Sequence, residues 1–326
     1  MPSDPFMNIK KAFVTGGAGF IGSHIVDALL ARGAQVVVYD NFCTGQLHFL
    51  PAPLPAGLEV IRADVLDRPK LEAAMQGCDF VFHFQANADV RGGVKNTWVD
   101  VEQNTLATWN VLEAMRKNEV RGLAFASSAT IYGEPTVFPT PETYAPLQTS
   151  LYGASKYAGE AMIQAYCEYF GVRSFVYRFV SWIGERYTHG VVFDILKKLA
   201  ADPAKLPLLG DGTQQKSYLY VKDGVRGILT GIDHATENKN IFNLGHDQFM
   251  NVAELVRVVL DEAGSPDVKL KYAGGKRGWV GDSPLVHLDT TRLKALGWKP
   301  ETSIEEGLRH TVRYLLQNRQ LLVARQ

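Results

Sequence analysis

Tyr152 and Lys156 lie four residues apart in the stretch Tyr152-Gly153-Ala154-Ser155-Lys156. On a helix that spacing puts both side chains on one face, about 5–6 Å apart at Cβ. An ammonium at that range favours phenolate over phenol and draws a tyrosine pKa down from its ordinary ~10. A phenolate can take a hydroxyl proton, which is useful chemistry where something nearby accepts the hydride left on the carbon. The glycine-rich stretch Thr15-Gly16-Gly17-Ala18-Gly19-Phe20-Ile21-Gly22 offers a place for that acceptor. Alone, Tyr-x-x-x-Lys is common by chance and also reads as two surface residues of a helix. Its coincidence with the glycine stretch makes the chemical reading the stronger one.

Gly16-x-x-Gly19-x-x-Gly22 falls directly after an apolar run, 11–15, and opens an amphipathic one, 20–32. In a strand-turn-helix context the glycines let the backbone approach a pyrophosphate, and the helix N-terminus through Phe20 and Ile21 meets its charge. An ordinary tight turn is the plain alternative. Asp40 ends the next apolar run, 18 residues past Gly22. A carboxylate there accepts hydrogen bonds from a ribose 2′-hydroxyl and repels a 2′-phosphate, so NAD is expected rather than NADP. The plain reading is a solvated strand-end aspartate. Ser127-Ser128-Ala129-Thr130 follows the run 122–126, where Ser128 can hold a substrate oxygen for Tyr152. Taken alone, Ser127 and Ser128 read as turn formers.

The elements that must position these groups alternate. Strands are expected at 11–15, 35–39, 58–62, 79–84, 122–126 and 174–178. Helices are expected at 20–32, 68–76, 97–117 and 150–170. That alternation predicts an α/β fold with a doubly wound parallel sheet, Rossmann-like, over residues 1–180. Beyond about 180 the pattern loosens into a smaller C-terminal α/β substrate domain, 181–326, with part of 223–244 returning to the first. The 326 residues carry 34 Lys plus Arg against 34 Asp plus Glu, a balance that argues against nucleic acid or an anionic membrane as the main partner. No apolar run reaches ~18 residues, and Met1 to Pro5 lack a secretory pattern. Cys43, Cys78 and Cys167 are far apart and fit a reduced, cytoplasmic setting. The eight histidines show no metal-ligand spacing; His83 is expected near the cofactor or in the core, and Asn104 as a buried structural residue.

Together these motifs resemble the extended short-chain dehydrogenase/reductases of the NAD-dependent sugar epimerase/dehydratase group, most of all its UDP-glucose 4-epimerase branch. The resemblance rests on Thr15 to His24, Tyr39-Asp40-Asn41, Phe82-His83, Ser127 to Gly133, Tyr152-x-x-x-Lys156 and Leu296 to Pro300, and spans nearly the whole chain. It implies a tightly held NAD touched by Asn41, Asp64, Val65, Gln85 and Ala86 besides the glycines and Asp40. It implies a nucleotide-sugar substrate, with Tyr152, Lys156, Ser128 and Thr130 reacting and Ser128, Ser181, Lys216, Arg277 and Asp282 binding. It also implies a homodimer through the two long helices. Within the group, 4,6-dehydratases carry an Asp-Glu pair after the catalytic hydroxyl residue and decarboxylases a glutamate in this loop. Ala129 and Thr130 stand here instead, which favours 4-epimerisation. Ser181 replaces the usual asparagine, and Lys216-Ser217 the usual Arg-Asp. A dehydratase or reductase of the same fold is one alternative, and a non-catalytic NAD-binding sensor is another.

Overall fold

The computed structural model describes residues 9–323; the leader Met1 to Pro5 lies outside them. Six parallel strands form first: β1 (Lys11–Thr15), β2 (Gln35–Asp40), β3 (Leu58–Arg62), β4 (Phe80–His83), β5 (Gly122–Ser128) and β6 (Arg173–Phe179). They read as near-continuous apolar runs because helices cover both faces. Alternation still assigns each residue to a face. Ala12, Val14, Val36 and Val38 join one hydrophobic layer, while Phe13, Val37 and Tyr39 join the other. The spatial order is β3-β2-β1-β4-β5-β6, with Lys239–Leu244 added beside β6 as a seventh parallel strand. This is a Rossmann-like doubly wound sheet. The order reverses between β1 and β4, and ligands of such sheets bind at the carboxyl edge there.

After β6 the chain leaves the sheet, forms Ser181–Ile183 paired with Tyr218–Tyr220, and returns through the helix Val221–His234 to the seventh strand. That helix packs against α1 (Phe20–Ala31). Gln215–Lys216 pairs with Met250–Asn251 and with Leu285–Val286, so residues far apart in sequence meet in one small sheet. Among the described residues no helix is long and apolar enough to cross a membrane.

One helix departs from the sequence expectation. The stretch read as continuous over 97–117 is Trp98–Asp100, then a π turn at Val101–Leu106, then Ala107–Lys117. Thr108 Oγ1 donates to the Asn104 carbonyl at 2.6 Å, competing with the backbone ladder where the turn widens. Periodicity alone does not reveal such a bulge.

Candidate active site

The glycine loop closes tightly. A Cβ on Gly22 would lie 2.1 Å from the Gly16 carbonyl oxygen, and one on Gly16 would lie 2.8 Å from Gln85 N, so the turn admits only hydrogen there. No side chain caps α1 at Gly19 and no acid stands in its first turn, which includes Phe20, Ile21 and Gly22. The free end of the helix is therefore suited to an anion. At the end of β2 the Asp40 carboxylate accepts from Ala18 N (3.0 Å) and Phe42 N (2.8 Å), one bond per oxygen. Burial raises its pKa, against the pull of those two bonds. Each oxygen keeps a lone pair for a hydroxyl. Asn41 Nδ2 donates to Asp64 Oδ2 (2.8 Å) beside it. Val65 differs: its side chain is in the core with Val37 and Leu71, so it offers the crevice only main-chain atoms. Gln85 donates to Gln103 and leaves Oε1 buried without a partner, beside Ala86 at the β4 edge. A glycine cradle, an uncapped helix end, a strand-end carboxylate and an orphaned amide oxygen suit a dinucleotide with a 2′-hydroxyl.

The predicted reacting groups converge on the same edge. Ser128 ends β5 and its Oγ accepts from Thr130 N (3.2 Å) and Thr130 Oγ1 (2.9 Å). Across it, the helix Leu151–Phe170 starts at Ser150, whose side chain caps Gly153 N. A Cβ on Gly153 would sit 2.7 Å from the Thr130 carbonyl oxygen, so glycine lets the helix press against the serine loop. That contact brings the Tyr152 hydroxyl close to Ser128. Lys156, 2% exposed, donates to the Ala126 carbonyl (2.9 Å) and lies over the Phe125 ring.

The ionisation of Tyr152 differs from the sequence expectation. Burial first, then the charge of Asp100, push the phenol up to about 12; only the Ser128 hydrogen bond pulls it down. Lys156 is pulled down to about 7, mainly by its own burial. In this setting desolvation outweighs the attraction that the four-residue spacing suggested.

His83 is a core residue: its ring bridges Thr15 Oγ1 (2.8 Å) and Thr108 Oγ1 (3.1 Å) and is held neutral, its pKa lowered to about 3 by burial. Asn104 is structural, donating to Ser155 Oγ and Asp100 Oδ1. Sequence reasoning missed the pair beneath the serine loop. Glu160 and Arg178, both buried, form a two-point bridge (2.8 and 3.1 Å), and Ser127 Oγ donates to Glu160 Oε1. The adjacency of two strand-end serines to a helical glutamate one turn past Lys156 was the available signal.

The proposed substrate contacts stand apart from this rigid centre. Lys216 pairs with Asp282 (2.7 Å) and donates to the Ser283 carbonyl, so two of the predicted residues engage each other. Arg277 is paired with Glu134 at the surface, on the loop that follows Gly133. Ser181 is exposed at the start of its strand. Thr149 Oγ1 donates to the Gly281 carbonyl (3.0 Å), which brings the 277–282 segment against the residues leading into Tyr152.

The model of the NAD dependent epimerase/dehydratase family matches residues 12–245. Among solved structures, a UDP-galactose 4-epimerase is 36% identical, with a TM-score of 0.84 over 94% of this chain and 99% of that one. The UDP-glucose 4-epimerase of Thermus thermophilus, solved with NAD, is 32% identical with a TM-score of 0.84 over the same shares. UDP-glucuronic acid decarboxylase 1 of Xenopus tropicalis is 30% identical over 94% of this chain and 72% of its own length.

Proposed function

The chain belongs to the NAD dependent epimerase/dehydratase family, and within it we propose that it is an NAD-dependent UDP-hexose 4-epimerase, an isomerase. One observation carries the choice. The hydroxyls of Ser128 and Thr130 are bonded to one another beside Tyr152, and no carboxylate stands at 129 or 130 to expel water from an oxidised sugar. NAD, when bound, would supply the reversible hydride acceptor through which the configuration at the sugar C4 is inverted. The glycine loop from Gly16 to Gly22, with Asp40, Asn41, Asp64, the Val65 main chain, Gln85 and Ala86, holds it. Tyr152 removes the C4 hydroxyl proton and later gives it back. Ser128 orients that oxygen, Thr130 orients Ser128, and Lys156 balances the phenolate. Lys216, Arg277, Asp282 and Ser181 bind the nucleotide sugar.

The two long helices expose Trp98 (54%), Trp109 (37%) and Leu151 (42%), a face suited to a homodimer. We place the enzyme in the cytoplasm, in keeping with its scattered cysteines. Incubation with UDP-glucose, UDP-N-acetylglucosamine and UDP-glucuronate tests the activity. Expected is an isobaric 4-epimer from at least one, with no net change in NAD. A product lighter by one water indicates a dehydratase, and loss of carbon dioxide a decarboxylase.

A further inference from the structure

Asp100 is wholly buried, yet one of its carboxylate oxygens has no hydrogen-bond partner. The other accepts from Asn87 Nδ2 (2.9 Å) and Asn104 Nδ2 (3.2 Å). Asn104 also donates to Ser155 Oγ (2.9 Å), and Ser155 Oγ donates to the Tyr152 carbonyl (2.8 Å). A chain of three bonds thus ties the carboxylate to the turn that carries the phenol. The orphaned oxygen faces Gly93, where a Cβ would come within 2.8 Å of it, and that Cβ would touch Leu151 at 3.4 Å. Gly93 thus packs against both the carboxylate and the first residue of the Tyr152 helix. A buried, half-satisfied carboxylate is costly unless charge nearby compensates it.

We propose that Asp100 is a positioning residue of the reacting site, a buried carboxylate tied through Asn104 and Ser155 to the Tyr152 turn, whose charge acts on the groups that turn carries. This rests on Tyr152 being the base. The charged and titratable groups around that phenol are few. Lys156 lies on its own helix. Glu160, engaged by Arg178 of β6, also favours the charged form of Lys156; His83 at the end of β4 is neutral, and Asp89 of the β4 loop acts on Asp100. Asp100 acts on both partners in the same sense, since a negative charge holds protons on phenol and ammonium alike.

The test is the pH profile of kcat/KM for Asp100→Asn, a substitution of nearly equal shape. Both limbs are expected to move to lower pH by about one unit, the usual scale for one charge in a shared buried site. If that variant does not fold, Asn87→Ala, which removes one of the two donors to the carboxylate, moves both limbs the same way by less. Unmoved limbs in a folded variant, with only the height of the profile reduced, assign Asp100 a purely structural role and overturn the proposal. Tyr152→Phe run alongside separates the two readings. If it retains turnover, the catalytic reading fails; if it is inactive while Asp100→Asn keeps the native profile, only this inference fails.

Discussion

The edge of the main sheet and the surface that faces it solve the problem of charge in opposite ways. At the edge, polar groups are buried and held by partners that do not leave: Asp40 by two main-chain N–H groups, Lys156 by the Ala126 carbonyl, Glu160 by Arg178 and Ser127. On the facing surface, Arg277 pairs with Glu134 in solvent, and Lys216 pairs with Asp282 behind partial cover. The first arrangement has its desolvation cost met when the chain folds, so the geometry of the proposed site is set before anything binds. The second holds its cations in internal pairs that the proposed nucleotide sugar would have to replace. Chemistry should therefore be lost by damage to the edge, and affinity tuned by changes to the facing surface.

The sharpest way to break that contrast is Tyr152→Phe. Loss of the proposed base is expected to lower kcat about 10²–10⁴-fold, with KM nearly unchanged and NAD retained on the purified protein. Steady-state kinetics and release of the nucleotide on denaturation check both parts. Next is Glu160→Ala, which leaves the buried Arg178 guanidinium without its carboxylate and Ser127 without its acceptor. Breaking a buried pair on one side costs about 3–5 kcal/mol, read from urea unfolding. If the variant is as stable as the parent, the edge is less rigidly built than its hydrogen bonds indicate.

His83 tests the same rigidity through pH. Its ring is neutral in the folded protein, with a pKa near 3 set chiefly by burial, whereas an unfolded histidine titrates near ~6.5. Between those values the unfolded chain binds a proton that the native state refuses. Stability from this group is thus intact above about pH 6.5 and falls as pH falls toward about 3, by up to about 1.4 kcal/mol per pH unit. His83→Asn is expected to be less stable at neutral pH, having lost the bridge between Thr15 and Thr108, yet to have a shallower acid arm. Unfolding free energies at several pH values give that slope, and an unchanged slope in the variant would refute the assignment.

What was legible in the sequence divides along the same line. The strands, the glycine turn and the Tyr152 helix are set by short-range patterns: apolar runs, turn residues and a four-residue spacing. The family motifs are equally local, and the fold and NAD chemistry followed from them. Partnerships made across the fold were not legible. Lys216 meets Asp282 66 residues away, and Arg277 meets Glu134 143 residues away. Nor does any local pattern show that Asp100 is tied to the Tyr152 turn, since the link runs through Asn104 in the π turn and Ser155 on another helix. The sign of the Tyr152 shift was also out of reach. Spacing reports the distance between charges, but the extent of desolvation depends on everything packed around them.

The facing surface gives the smaller effects, and two substitutions there should have opposite signs. Lys216→Met removes a cation and leaves Asp282 to repel a diphosphate. KM is expected to rise about tenfold, the scale of one charge-assisted hydrogen bond, with kcat held. Glu134→Gln removes the competitor for Arg277 and frees its guanidinium. Exposed ion pairs are worth little, so the gain is bounded, and KM should fall by about two- to fivefold, more clearly at low ionic strength than at high. Measuring KM for one UDP-sugar at two salt concentrations checks both. A Glu134→Gln enzyme with raised KM would mean that Glu134 orders the Arg277 loop for binding. In that case the surface would be preorganised as the sheet edge is, and the contrast between the two regions would not hold.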